Sequence, residues 1–81
     1  MSEDCKSKVM MIIEKALEIE SGVLSIDSDA DTIENWDSLG QLSILVSLDK
    51  HFDGKISSLS EMAEANSVSK ILKILEKNSI C

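Results

Sequence analysis

The sequence has no proline and no tyrosine, and it has only one tryptophan and one phenylalanine. Its interior must therefore be filled mainly by isoleucine, leucine, valine and methionine. Apolar residues make up 43% of the chain, enough for a packed core rather than a disordered segment. No run of 18 apolar residues is present, so no segment is expected to span a membrane. With 81 residues, the chain 1–81 is expected to be one domain with a modest core.

Positive charge is also scarce, with 8 basic against 15 acidic side chains and a net charge of −7. Such a surface repels phosphate backbones, so nucleic acids and anionic membranes are not expected partners. A basic patch on another protein is its natural complement.

The chain has only two cysteines, Cys5 and Cys81. Small domains that depend on disulfides usually have more, so both are predicted to be free cytosolic thiols. Charged residues also occupy the first positions, where a signal peptide would carry its apolar segment. A cytoplasmic protein is therefore expected.

Helical periodicity predicts an all-α fold, a small four-helix bundle of three longer helices and one short helix. The longer helices are predicted at 3–20, at 38–52, and from a cap at Asn66-Ser67 to Lys77-Asn78. The short one is predicted within 55–65, capped by Ser57 or Ser58. A long loop, 22–37, joins the first two helices, and Gly22 and Gly54 are expected to end those helices.

Each predicted helix has an apolar stripe that is expected to face the core. In the first helix the stripe is Val9, Ile12, Ile13, Ala16 and Leu17, with Lys8, Glu14, Lys15 and Glu18 facing water. In the last helix it is Val68, Ile71, Leu72 and Leu75. In the long loop, Val23, Leu24, Ile26 and Ile33 are expected to hold the chain against the bundle.

The segment from Trp36 to Phe52, WDSLGQLSILVSLDKHF, has the strongest local signal in the chain. Ser38 is predicted at the N-cap, and Gln41, three residues later, would complete a capping box. Leu42, Leu45 and Val46 follow at helical spacing, between Leu39 and Phe52 at the two ends of the stripe. A serine hydroxyl is thus expected at the positive end of a helix dipole, beside an acidic residue.

A catalytic serine is not predicted at this position. The only histidine, His51, lies about 20 Å along the same predicted helix, at about 1.5 Å of rise per residue. A nucleophilic serine needs a base within hydrogen-bond reach, and no G-x-S-x-G motif surrounds Ser38. No catalytic residue is therefore assigned, and the protein is not expected to be an enzyme.

A metal site is not predicted either. Asp27, Asp29 and Asp31 have the spacing of the first ligands of an EF-hand calcium loop. The pattern then breaks, because Thr32 stands where glycine is needed and Ser38 where a bidentate glutamate is needed. The preferred interpretation is a solvated acidic loop, with weak divalent-ion binding as the alternative.

The motif Trp36-Asp37-Ser38-Leu39 at the start of the second helix of a small acidic chain resembles the acyl carrier protein family. This resemblance covers essentially the whole chain in its layout. It implies that a phosphopantetheinyl transferase attaches 4′-phosphopantetheine from coenzyme A to Ser38 Oγ. The thiol of that arm, not a residue of the protein, would carry acyl intermediates as thioesters. By position, Asp37 would help recognition by the transferase, and Leu39 would make an apolar contact with partners.

The chain departs from the fatty-acid carriers in one respect. Their second helix is strongly acidic, whereas residues 40–48 here carry no charge and the acidity lies in the preceding loop. This departure argues against a housekeeping fatty-acid role and in favour of a freestanding carrier of a specialised pathway. The resemblance as a whole implies a monomeric carrier for fatty-acid or polyketide-type synthesis, served by acyl-loading and acyl-processing enzymes with basic or apolar docking patches. A peptidyl or aminoacyl carrier and an unmodified helical interaction module are the alternatives.

Two further expectations concern the apolar residues. Ile44 and Leu48 could dock partners if exposed, although core packing is the preferred interpretation. A cavity for short acyl chains could be lined by Met10, Met11, Leu42, Leu45, Val46, Met62 and Ile71, because methionine tolerates repacking.

Overall fold

A computed structural model describes residues 3–80, which fold into three α-helices and one 3₁₀ helix. The elements are α1 (Glu3–Leu17), α2 (Ser38–His51), the 3₁₀ helix (Ser60–Glu64) and α3 (Val68–Lys77). Residues 3–80 contain no strand, only an isolated antiparallel bridge between Asp29 and Ser67, so the all-α prediction is confirmed. None of the helices in this part of the chain has the length and apolar character needed to cross a membrane.

The predicted four-helix bundle is wrong in its helix count, because the short element is a 3₁₀ helix of 5 residues. Ser57 and Ser58 were expected to cap an α-helix there. Their hydroxyls instead donate to the carbonyls of Gly54 and Lys55, at 3.1 and 2.9 Å. Hydroxyls used in this way stabilise turns rather than free helical N–H groups. Ser67, by contrast, does cap α3, because its Oγ accepts the N–H of Lys70 at 3.1 Å.

The core is formed by apolar residues from all three α-helices, the long loop and the 3₁₀ helix. The predicted stripe of α3 is confirmed in full, since all four of its residues are buried. The fully or nearly buried apolar residues are Val9, Ile13, Leu17, Leu24, Trp36, Ile44, Leu48, Ile56, Met62, Ala65, Val68, Ile71, Leu72 and Leu75.

All three α-helices end in the same way, with a residue in the left-handed region followed by a bond back across the last turn. The left-handed residues are Glu18, Asp53 and Ser79, with φ of 57°, 54° and 58°. The N–H of the next residue donates to a carbonyl five positions earlier, in Ile19 to Glu14, Gly54 to Asp49 and Ile80 to Leu75. This arrangement satisfies carbonyls that the helix end leaves open. Gly22 was predicted to end α1, but the helix ends earlier, at Leu17.

Glu14 is a correction to the predicted pattern, because it was expected to face water. Its side chain is only 6% exposed, and Oε2 accepts the backbone N–H groups of Gly22 and Leu24 at 2.8 and 3.1 Å. A buried carboxylate is tolerated when such bonds replace those it made to water. Glu14 therefore ties the start of the long loop to α1.

Replacing Glu14 with alanine is expected to lower the free energy of unfolding by about 2 kcal/mol, because two backbone N–H groups lose a charged acceptor. Glu14→Gln keeps an acceptor without the charge, so we expect a smaller loss of about 1 kcal/mol. Glu20→Ala removes the same charge from an exposed position and should change stability by less than about 0.5 kcal/mol. Urea unfolding of the three variants measures these values. Equal losses for Glu14→Ala and Glu20→Ala would contradict the buried bonds.

The long loop is attached to the rest of the fold at three places. Only two of the four apolar loop residues that were expected to hold it contribute. Leu24 is buried and Ile33 packs against the core, whereas Val23 and Ile26 are exposed. In the middle, the N–H of Ala30 donates to the carbonyl of Asn66 at 2.9 Å, beside the bridge. At the end, Asn35 Nδ2 donates to the carbonyl of Leu17 at 3.0 Å. The loop is thus a fixed part of the fold.

The prediction of two free thiols is wrong for Cys5. Cys5, in α1, is disulfide-bonded, and no cysteine within residues 3–80 is free. Cys81 lies outside the described residues.

Candidate functional site

Ser38 is the first residue of α2, but it is not the N-cap that the sequence predicted. Asp37 holds that position with extended backbone angles, and its Oδ1 accepts the N–H of Gly40 at 2.9 Å. The Ser38 side chain is exposed, and within residues 3–80 its hydroxyl makes no hydrogen bond. The hydroxyl is therefore open to solvent at the start of a helix.

The predicted capping box is also wrong, because the Gln41 side chain points to a different set of partners. Its Oε1 accepts the indole N–H of Trp36 at 2.6 Å. Its Nε2 donates to the carbonyls of Met62 and Ala65 at 3.3 and 3.0 Å. Gln41 thereby joins the end of the long loop, the first turns of α2 and the 3₁₀ helix.

Gly40 is a site residue that the sequence analysis missed. The only signal for it in the sequence is a glycine inside a predicted helix. It is buried at the start of α2, where an added Cβ would collide with the carbonyl oxygen of Asn35 and lie 2.8 Å from Leu17 Cδ2. The helix can approach the loop and α1 this closely only because Gly40 has no side chain. This contact sets the position of Ser38 relative to α1.

The apolar residues of α2 face differently from the prediction. Ile44 and Leu48 are fully buried, so the preferred interpretation of core packing holds for both. Leu39, Leu42 and Val46 are exposed by 74%, 57% and 47%. We call these three residues the outer stripe of α2.

An open recess of about 640 Å³ lies beside Ser38. It is bounded by the end of the loop, the start of α2 and the 3₁₀ helix. The lining residues are Ala30, Trp36, Asp37, Ser38, Gln41, Ala63, Glu64 and Asn66. Its wall is polar near the serine, with two carboxylates and no cationic side chain.

An apolar groove of about 280 Å³ adjoins this recess, because Ala63 lines both. The groove runs between α2 and the segment 56–63, which includes most of the 3₁₀ helix. Its lining is Leu42, Leu45, Val46, Ile56, Ser57, Leu59, Ser60, Met62 and Ala63. Four of the seven predicted cavity residues are therefore here. Met10, Met11 and Ile71 are not part of it.

The acidic loop forms a turn around the side chain of Asp29. Oδ1 of Asp29 accepts the N–H groups of Asp31 and Thr32, both at 3.0 Å, and the Thr32 hydroxyl at 3.1 Å. This is the local bonding by which aspartate stabilises turns. Within the described residues, no three His, Cys, Asp or Glu side chains converge on a position that could hold a metal ion.

Ser38 and His51 are the first and last residues of α2, so the imidazole does not reach the serine hydroxyl. A nucleophile–base pair between them is thus excluded by geometry. The site consists of an exposed hydroxyl, a recess lined by both polar and apolar residues, among them the carboxylates of Asp37 and Glu64, and an adjoining apolar groove.

Comparison of the chain with protein-family models, with curated protein sequences and with solved structures found no significant match. Assignment of a function to Ser38 therefore depends on the Trp36-Asp37-Ser38-Leu39 motif and on the surroundings just described.

Proposed function

We propose that this protein is an acyl carrier whose Ser38 receives 4′-phosphopantetheine from coenzyme A. The observation that carries the proposal is the exposed hydroxyl of Ser38, which makes no hydrogen bond to any residue in 3–80. It lies in the first turn of α2, inside an Asp-Ser-Leu motif. The N–H groups of Ser38 and Leu39 precede the first intrahelical donors and are open to an acceptor. A phosphodiester on Ser38 would lie near these groups and near the positive end of the helix dipole.

In this function the arm supplies the chemistry, because its terminal thiol carries the acyl group as a thioester. The protein's own residues bind and orient the arm. Asp37 fixes the start of α2 and presents a carboxylate to the transferase, while Leu39, exposed beside the serine, offers an apolar contact. Catalytic residues are assigned to the partner enzymes, not to this chain.

The proposal also concerns the class of acyl group that the arm carries. The apolar groove that adjoins the Ser38 recess is lined almost entirely by aliphatic side chains, with only the hydroxyls of Ser57 and Ser60 as polar side-chain groups. It would favour a short apolar acyl chain, of fatty-acid or polyketide type, over the charged amine of an aminoacyl group. The groove therefore supports the acyl carrier over the peptidyl or aminoacyl carrier.

The partners we propose are the phosphopantetheinyl transferase and separate acyl-loading and acyl-processing enzymes, with the carrier acting as a monomer in the cytoplasm. A net charge of −7 supports partners with basic patches and disfavours nucleic acid.

Intact mass after incubation with coenzyme A, magnesium and a promiscuous phosphopantetheinyl transferase tests the proposal. The wild type is expected to gain the mass of one phosphopantetheine, and Ser38→Ala none, because the alanine has no hydroxyl to esterify. A gain in both proteins would place the modification elsewhere. No gain in either, with the transferase active on a control carrier, would instead favour the unmodified interaction module.

A further inference from the structure

Cys5 is disulfide-bonded, although the sequence predicted a free thiol. It lies in the first turn of α1, where it is partly exposed and packs against the core. The chain contains one other cysteine, Cys81. A bond within one molecule can therefore join Cys5 only to Cys81, the residue that follows the last one described by the structure.

The course of α1 and α3 through the fold places these cysteines away from the Ser38 site. The carbonyl of Leu17, at the C-terminal end of α1, accepts a bond from the end of the long loop, and Asn66, just before α3, lines the Ser38 recess. At about 1.5 Å of rise per residue, Cys5 is about 18 Å from Leu17 along α1, and α3 is about 15 Å long. Each helix thus has one end near Ser38, and Cys5 belongs to the other end of α1.

The chain is held close to the core up to the residue before Cys81. The N–H of Ile80 donates to the carbonyl of Leu75 at 2.9 Å, which ties Ile80 to the last turn of α3. The side chain of Ile80 packs against the same core as Cys5. The second cysteine therefore follows directly on a fixed position at the far end of α3.

We propose that Cys5 and Cys81 form a reversible disulfide that clamps the far ends of α1 and α3 together under oxidising conditions. The bond closes a loop that contains every residue except 1–4. A disulfide restricts the unfolded chain more strongly as the loop that it closes grows longer. Since the core of a domain with 81 residues is modest, the clamp provides a large part of the stability of the oxidised protein.

The bond is reversible because Cys5 is not enclosed by the core. An exposed disulfide is more easily reduced than a buried structural one, and disulfides in cytoplasmic proteins are usually transient or redox-sensing. The cytoplasmic location belongs to the proposed function, and in this respect alone the inference rests on it. Reduction is expected to loosen the far ends of the two helices and to leave the contacts around Ser38 in place.

The oxidant for closing the clamp is a low-molecular-weight disulfide such as glutathione disulfide. The thiolate of one cysteine attacks it, which releases one glutathione and forms a mixed disulfide. The thiolate of the other cysteine then displaces the second glutathione and forms the protein disulfide. The two cysteines are oxidised, and their two protons and two electrons end on the two glutathione thiols. Opening by reduced glutathione is the same exchange in reverse.

Peptide mapping without reduction tests the pairing, after the protein has been oxidised by glutathione disulfide. Trypsin cleaves after Lys6 and Lys77, so we expect peptide 1–6 to be linked to peptide 78–81, as a pair that separates on reduction. Peptide 1–6 linked to a second copy of itself would show a bond between two molecules and would overturn the clamp. Two alkylated cysteines in the oxidised protein would overturn it as well.

Melting curves test the effect on stability. Reduction of the wild type is expected to lower the melting temperature by roughly 15 °C. Cys5→Ser and Cys81→Ser should both melt within about 3 °C of the reduced wild type and should not respond to the reductant. Ser7→Ala is the control, because Ser7 is exposed near Cys5 on α1 and its replacement should keep the full response. Equal melting temperatures of the oxidised and the reduced wild type would contradict the clamp.

Glutathione buffers test the reversibility in the folded protein. The linked peptide pair should form in excess glutathione disulfide and disappear in excess reduced glutathione, when the thiols are alkylated below the melting temperature of the reduced form. A bond that persists in reduced glutathione would be a permanent structural bond, and the proposal of a switch would be wrong. None of these measurements uses a transferase or coenzyme A, so a failure of the clamp is distinguishable from a failure of the proposed function.

Discussion

Gly40→Ala is expected to destabilise the protein by about 3 kcal/mol, although alanine is the better helix former. Intrinsic propensity alone would favour the alanine by about 1 kcal/mol. The added Cβ, however, would collide with the backbone carbonyl of Asn35 and press on Leu17 Cδ2. The carbonyl cannot move cheaply, because the Asn35 side chain is itself bonded to the carbonyl of Leu17. Forced insertion into a packed site costs about 1–3 kcal/mol and occasionally more, and contact with backbone belongs at the upper end.

Thermal unfolding measures this effect, with a decrease in melting temperature of roughly 15 °C expected for a domain of this size. Ser43→Ala is the control, since Ser43 is exposed on the same helix and its replacement should raise stability by a few tenths of a kcal/mol at most. A Gly40→Ala variant more stable than the wild type would show that α2 does not approach the loop and α1 so closely.

The second large effect is expected at Gln41. In Gln41→Glu the acceptor for the Trp36 indole N–H remains, but the two bonds donated to the carbonyls of Met62 and Ala65 are lost. A carboxylate would then face two carbonyl oxygens in a half-buried position. The loss of donors and the repulsion together should lower the free energy of unfolding by about 3 kcal/mol at neutral pH. The defect should shrink in acid, where the introduced carboxyl group binds a proton and regains a donor.

Gln41→Met is the matched control, because it keeps a flexible chain of similar length without polar atoms. We expect a smaller loss, of about 2 kcal/mol and independent of pH, from the unpaired indole and carbonyl groups. Urea unfolding can be followed by the fluorescence of Trp36, the only tryptophan in the chain. Equal stability of the two variants at neutral pH would show that Gln41 does not donate to the 3₁₀ helix.

The elements with one-sided apolar patterns were the ones that the sequence predicted well. In α3, four apolar positions at helical spacing form one stripe, and all four are buried, while the other positions are charged or polar except for the partly buried Ile74. In α2, apolar residues occur on every side, so periodicity did not determine which side is inside. Leu42 and Val46 were assigned to the core stripe, while Ile44 and Leu48 are the residues that are fully buried.

The position of Ser38 at the start of α2 was predictable, but its neighbours were not. Ser38 and Asp37 are adjacent, and both side chains are able to cap a helix, so the sequence did not determine which of them is the N-cap. Gln41 fitted a local capping box, yet its Nε2 donates to the carbonyls of Met62 and Ala65, which lie in and directly after the 3₁₀ helix, far along the chain. Glu14 likewise gains its acceptor role only from the loop that folds over it. The roles of Gln41 and Glu14 depend on contacts between segments that are distant in the sequence. Such contacts cannot be predicted from the local spacing of residues.

The bridge between the long loop and the start of α3 has a consequence for the order of folding. Ala30 and Asn66, which hydrogen-bond each other, both line the recess beside Ser38. In the chain, α2 and the 3₁₀ helix lie between these two segments, so closing this contact carries the entropy cost of a long loop. During synthesis from the N-terminus, Ser38 therefore leaves the ribosome well before its own surroundings exist. Only a chain in which Ala63, Glu64 and Asn66 have folded against the loop and α2 presents the complete recess beside Ser38.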